Sequence, residues 1–240
     1  MTTRKARGAG QSHFGGAPLI GPAAPLPACE LCGGTPTLFL QLDSRDLPTE
    51  NLGFEVGILQ LFHCLHCNEN WDAGTAFNKA SQIRICPDDR LSPAPIALEL
   101  RMPCRMISGW EAFNDYPHPQ DHAPLGVDLR YDFDLRQIEL VCQQYDVHFK
   151  GLSMDDVDED DLELAEAISM AAHGDKLGGW PHWVQSRDYP SCPKCDQEMQ
   201  LFFQLDSVCN LDFMFGDAGC AHITQCPVHR DEFAFAWACH

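Results

Sequence analysis

Two short apolar runs frame the chain. Leu38, Phe39, Leu40 and Leu42 form the first, and Leu201, Phe202, Phe203 and Leu205 the second. Each combines alternating with continuous apolar letters, which predicts strands. A further strand is expected after each run, over Gly57 to His63 and over Gly219 to Gln225. Ile96 to Met102 reads as another strand, and residues 131–149 suit either helix or strand. From Ser153 to Ala172 the spacing becomes helical. Leu162, Ala165, Ile168 and Ala172 make one stripe, Ser153 with Asp156 offers a capping box, and acidic residues crowd the first turn, where the helix dipole favours them. Gly174 is the expected stop.

The two apolar runs belong to a longer repeat. Residues 14–44 align on 177–207 without a gap. Gly15, Gly16, Pro18, Pro27, Cys29, Cys32, Gln41, Asp43 and Ser44 then meet Gly178, Gly179, Pro181, Pro190, Cys192, Cys195, Gln204, Asp206 and Ser207. After a loop one residue shorter in the second copy, residues 56–67 align on 218–229. Cys64 then meets Cys226, and Cys67 meets His229. The reading is an α+β chain, mostly antiparallel β, duplicated into two pseudo-symmetric halves, with an acidic helix over 153–172 in the connection. Its expected parts are a flexible N-terminus over 1–11, a first half with an insertion over 12–110, a connecting segment over 111–175 and a second half over 176–240.

A Cys-to-His exchange inside a repeated ligand pattern points to metal, because a tetrahedral structural zinc site accepts either side chain. Two four-ligand sets follow: Cys29, Cys32, Cys64 and Cys67, then Cys192, Cys195, Cys226 and His229. Each resembles a zinc ribbon, with ligand pairs at the ends of neighbouring strands. The expected cofactor is therefore two structural zinc ions. Four ligands close the coordination shell, so neither ion has a position left for activating water. Buried free thiols do not account for the paired spacing, and a redox CxxC does not need a second pair. His63, His66 and His222 flank the cysteines and are the substitutes if the alignment slips.

Composition narrows the function. Thirteen cysteines behind an N-terminus with no apolar signal segment suggest a reducing compartment, the cytoplasm. A formal charge of -19 disfavours binding to nucleic-acid phosphates and favours a protein partner, a basic one above all. Metallation adds about three more negative charges, about two at a tetrathiolate site and about one at a Cys3His site. No run of eighteen apolar residues suggests a membrane span. No nucleophile elbow, phosphate loop, HExxH or dinucleotide fingerprint appears.

The combination of GG-x-P, CxxC, L-x-x-QLDS and G-x-LQLF over residues 12–67 and 176–240 resembles the YwqG-like family of uncharacterised bacterial proteins. That resemblance implies duplicated halves. Many members lack the cysteines, which implies that the fold itself does not require metal. The CxxC knuckles and the strands after them also resemble the programmed cell death protein 2 family. That similarity implies protein binding, including chaperoning of a ribosomal protein.

The expected role is thus non-enzymatic protein interaction, adaptor-like or chaperone-like. One alternative is a metal-dependent or carboxylate hydrolase in a cleft between the halves, using Asp115, His118, Asp121 and His122. The other is an immunity or antitoxin-type binder. Asp43 and Asp206 are read as turn caps, and Cys86, Cys104, Cys142, Cys209 and Cys220 as small buried side chains without spacing partners. Cys239 and His240 close a strand. Trp180 and Trp183 are expected beneath the second knuckle, and the acidic run from Asp155 to Glu163 is a solvated helix start.

Overall fold

The computed structural model describes residues 2–4, 12–48, 54, 56–68, 71–87, 90–96, 102–113, 115, 121, 171–207 and 209–240. The expected helix therefore lies outside the described residues except for Ala171 and Ala172, which are not helical. Residues 97–101 of the expected strand at 96–102 also lie outside, as do residues 131–149. Gly174 does turn the chain, with a left-handed φ of 83°. The chain divides into two compact units. One contains 1–112, 174–178 and 189–240, and the other 113–173 and 179–188.

The regular structure described in the first unit is almost all strand, because its apolar residues come in short β-patterned runs. In chain order these are β1 (Thr2–Arg4), β2 (His13–Phe14), β3 (Leu19–Ile20), β4 (Thr37–Asp43), β5 (Ile58–His63) and β6 (Ser81–Cys86). After them come β7 (Ser92–Pro93), β8 (Arg105–Gly109), β9 (Lys176–Leu177), β10 (Gln200–Asp206), β11 (Cys220–Gln225) and β12 (Phe233–Ala238). Among the described residues of this unit the helical elements are short 3-10 turns at Ser44–Asp46, Leu65–Cys67 and Trp71–Gly74. One sheet has the order β1-β8-β2-β4-β5-β6, a second has β12-β11-β10-β9, and β3 pairs β7. Every pairing among the described residues is antiparallel.

Both apolar runs feed one core. Phe39, Leu40, Leu42, Leu59 and Leu61 of the first sheet cluster with Phe202, Phe203, Leu205, Ala221, Ile223 and Phe235 of the second. Aromatic rings join them edge-on, Phe14 against Phe203 at 6.0 Å and Phe39 against Phe215 at 6.1 Å between centroids. Full burial of each such side chain contributes about 1.5–3 kcal/mol.

The strands flanking the core share local geometry. The β4–β5 register shifts between Leu38 and Leu40, and the β10–β11 register between Leu201 and Phe203. Gly15 donates to Phe39 O at 3.0 Å, and Gly178 to Phe202 O at 2.9 Å. Ser44 donates to Gly57 O at 3.1 Å, and Ser207 to Gly219 O at 3.2 Å.

Strand alternation turns a polar row to the opposite face of the first sheet. Arg84, Gln60, Gln41 and His13 are register neighbours on β6, β5, β4 and β2. They form a directed ladder. Arg84 Nε donates to Gln60 Oε1 at 2.9 Å, Gln60 Nε2 to Gln41 Oε1 at 2.8 Å, and Gln41 Nε2 to His13 Nε2 at 2.9 Å. His13 Nδ1 then faces the carbonyl of Gly15 at 2.8 Å, which requires the proton on Nδ1. β3 covers the row, since Leu19 N donates to Gln41 Oε1 and Leu19 O accepts from Gln60 Nε2. Arg84 closes the ladder over the Phe62 ring, with Nη1 donating to Pro25 O and Nη2 buried without a partner.

Candidate metal centres

Strand register brings the ligand pairs together. In the first sheet Thr37 opposes His63, so the start of β4 and the end of β5 abut. Cys64 follows β5 directly, and Cys29 and Cys32 precede β4. Gln200 opposes Gln225 in the second sheet, and Cys226 follows β11. Each group of ligand side chains thus sits at the open end of a strand pair, opposite its connecting loop.

The CxxC turns are built alike. Cys29 N donates to Gly34 O and Gly33 N to Cys29 O, both at 2.8 Å. Cys192 N donates to Gln197 O and Asp196 N to Cys192 O, again both at 2.8 Å. The turn needs a left-handed residue at its fifth position, filled by Gly33 at φ 73° and by Asp196 at φ 59°.

Two groups of ligand atoms result, Cys29, Cys32, Cys64 and Cys67 in one and Cys192, Cys195, Cys226 and His229 in the other. Within each, all four atoms lie within 4.8 Å of one another. The Sγ pairs stand 3.9 Å apart for Cys29–Cys67, 3.7 Å for Cys32–Cys64 and 3.6 Å for Cys195–Cys226. A tetrahedron with metal–sulfur bonds of about 2.3 Å has an edge of about 3.8 Å, whereas a disulfide requires about 2.05 Å. His229 Nδ1 lies 3.7 Å from Cys192 Sγ and 3.8 Å from Cys226 Sγ, close to the mixed nitrogen–sulfur edge of about 3.6 Å. The eight residues therefore fit two four-coordinate metal ions.

Backbone amides support thiolate charge. Gly34 N donates to Cys32 Sγ at 3.4 Å and, with Cys67, lowers the Cys32 thiol below its ordinary range. Burial pushes Cys226 up, but the amides of His229 and Val228, at 3.2 and 3.4 Å, outweigh it and bring the thiol down to about 6. Cys67 moves the other way, up to about 12, through loss of hydration and crowding by the other thiols. A bound cation removes that crowding.

The remaining candidates have other duties. His63 is held between Ser81 Oγ at 2.7 Å and Asn68 Oδ1 at 2.8 Å, and it packs on Phe39, so it is no ligand. His66 and His222 stand outside both groups, with His222 Nε2 lying 3.6 Å from Cys220 Sγ. Asp43 caps the turn at Ser44 by accepting from Arg45 N. Asp206 accepts from Gly174 N. Cys86 and Cys220 are buried, Cys104 and Cys239 are partly covered and Cys209 is exposed, while Cys142 lies outside the described residues. The same holds for His118 and His122. Asp115 accepts from Ala172 N and Trp180 N, and Asp121 from Trp183 Nε1 and Arg187 Nε.

One expectation needs correction: Cys209, read as a small buried side chain, lies on the bend after β10 and is exposed, and Cys104 is only partly covered. The second knuckle packs against Met199, Ala234 and Ala76 of its own unit. Within the other unit, the backbone N–H of Trp180 donates to Asp115 and the indole N–H of Trp183 to Asp121. Sequence reasoning also missed the role of residues 73–80, which carry no periodic signal: Ala73 and Ala80 pack against the first group and Ala76 against the second.

Among the described residues no helix is long and apolar enough to cross a membrane. A 42-residue stretch, 18% of this chain, is 45% identical to the Uncharacterized protein YpfL of Salmonella typhimurium, and covers about a tenth of that protein's length. Residues 12–238 match the family described as Domain of unknown function (DUF1963). That span takes in both sheets' central strands and all eight ligands, and the chain belongs to that family.

Proposed function

We propose that this protein is a two-zinc, non-enzymatic interaction module of the adaptor or chaperone-like kind, built by internal duplication. The observation that carries the reading is closure: each ligand group supplies four donors at tetrahedral spacing. A closed site holds structure and leaves no position for activating water. Thiolate-rich tetrahedral donor sets suit zinc among common divalent ions. The shared register shifts, the matching knuckle turns and the left-handed Gly33 and Asp196 support duplication, with halves at 12–110 and 176–240 joined by 111–175. The YwqG-like pattern fits the same halves.

The formal charge of -19, deepened by the thiolates, suits a basic protein partner and disfavours nucleic acid. A cytoplasmic setting keeps the thiols reduced and able to load metal. Elemental analysis of protein purified under reducing conditions tests the metal: roughly two zinc per chain is expected, and a content near zero refutes it. Affinity capture from the native host, read by mass spectrometry, tests the interaction role. Enrichment of a basic protein supports it, and recovery of no protein above background counts against it.

A further inference from the structure

The segment Ala73–Ala80 touches both ligand groups. Ala73 and Ala80 pack against Cys29 and Cys64, Cys64 N donates to Ala80 O at 2.8 Å, and Cys29 Sγ lies 3.9 Å from Lys79 O. Between them, Ala76 packs against Cys192, Met199, Cys226 and Ala234. The three alanines offer little bulk, which lets the backbone approach both knuckles closely.

The segment is also pinned. Asn78 Nδ2 donates to Thr75 O at 2.8 Å and to Phe235 O on β12 at 3.5 Å, and Asn78 Oδ1 accepts from Ala80 N at 3.0 Å. Gly74 sits so close to β12 that a Cβ there would fall 2.8 Å from Trp237 O. Phe77 is held at φ 58°, a conformation that a bulky residue adopts only when its surroundings enforce it.

Resting on the metal reading above, we infer that the two metal centres are coupled through residues 73–80, so that filling either one raises the affinity of the other. A metal at the first centre fixes Cys29 and Cys64 and thereby seats Ala73 and Ala80. Ala76 is then already in place against Cys192 and Cys226 when the second ion arrives. The ordering cost of the segment is met once rather than twice. Linkage makes the effect reciprocal, so the second centre must favour the first by the same factor.

The test is a cobalt(II) titration of the apo-protein under reducing conditions. Tetrathiolate and Cys3His sites have different absorption spectra, so each centre is followed separately. Wild-type protein is expected to fill both centres in one concerted transition. In Cys226→Ser, which lacks the second centre, the first is expected to bind cobalt at least tenfold more weakly, and Cys64→Ser should weaken the second likewise. Asn78→Ala keeps all eight ligands and frees the segment, so its two centres should fill at separate concentrations. This variant keeps the test decisive where a Cys variant does not fold. Independent filling in wild type, with an unchanged curve for Asn78→Ala, overturns the coupling and leaves the metal reading intact. Failure of wild-type protein to take up cobalt at all overturns both.

Discussion

Replacing Gln60 with Leu tests whether the polar ladder stabilises the first sheet or is merely tolerated. Gln60 is fully buried between Leu59 and Leu61, and Leu has nearly the same volume. Judged by area alone, the change adds apolar burial of about 1–2 kcal/mol. The hydrogen bonds argue the opposite. Without the Gln60 amide, Leu19 O loses its donor and Arg84 Nε its acceptor, while Gln41 Oε1 keeps only Leu19 N. A stranded neutral group costs about 1–3 kcal/mol and a charged one more, for a gross loss of about 3–6 kcal/mol. The net expectation is destabilisation by about 2–4 kcal/mol, a large share of a typical domain's total. Urea unfolding of metal-loaded protein, followed by circular dichroism with metal content measured alongside, reads it directly. A midpoint equal to or above that of wild type, with an unchanged m-value, refutes the argument and makes the ladder a bystander.

Three further outcomes are expected. A Cβ at Gly33 meets nothing within 4 Å, so Gly33→Val should lose about 1–2 kcal/mol to its left-handed φ alone, and Gly33→Asp less, as Asp196 already holds that conformation; thermal unfolding of the two variants separates them. Burial lowers the pKa of His13, so the unfolded chain takes up its proton first as pH falls. The stability margin of wild type over His13→Gln should be complete above pH ~6.5 and shrink below it, by at most about 1.4 kcal/mol per pH unit, which urea titrations from pH 7 to 5 can follow. Lys194 pairs with Asp231 and Glu232 at 3.0 and 2.6 Å, but on the surface, where solvent screens the charges, so Lys194→Met should leave the midpoint of the same urea assay within error of wild type.

Both ligand groups and the strands beside them were legible because their signals are local. Cysteine spacing survives any misjudged boundary, and apolar runs such as Leu38–Leu42 are long enough to show a period. β2, β3, β7 and β9 are two residues each, too short for any period, and their places depend on partners far along the chain. Gln41 and Gln60 were visible as polar letters inside apolar runs, but nothing in the sequence says that they meet each other and His13. The Trp183 contact was hidden for a related reason: the side chain is buried, as its type suggests, yet the Asp121 carboxylate that receives its indole N–H lies 62 residues away. The segment at 73–80 was illegible because alanine and glycine reveal tight packing only once their neighbours are known.

The metal groups stand at the mouths of the β4–β5 and β10–β11 pairs, while the connecting loops close the far ends. A filled site therefore converts each pair into a ring of roughly 35 residues, a closure that restricts the unfolded chain by about 4 kcal/mol on the cross-link estimate. The rings differ in when they can form. All four ligands of the first lie between Cys29 and Cys67, ahead of β6 and β8, so a nascent chain can close it before those two strands exist. The second ring must wait for His229. Metal supply during synthesis would then set the order in which the two sheets are assembled.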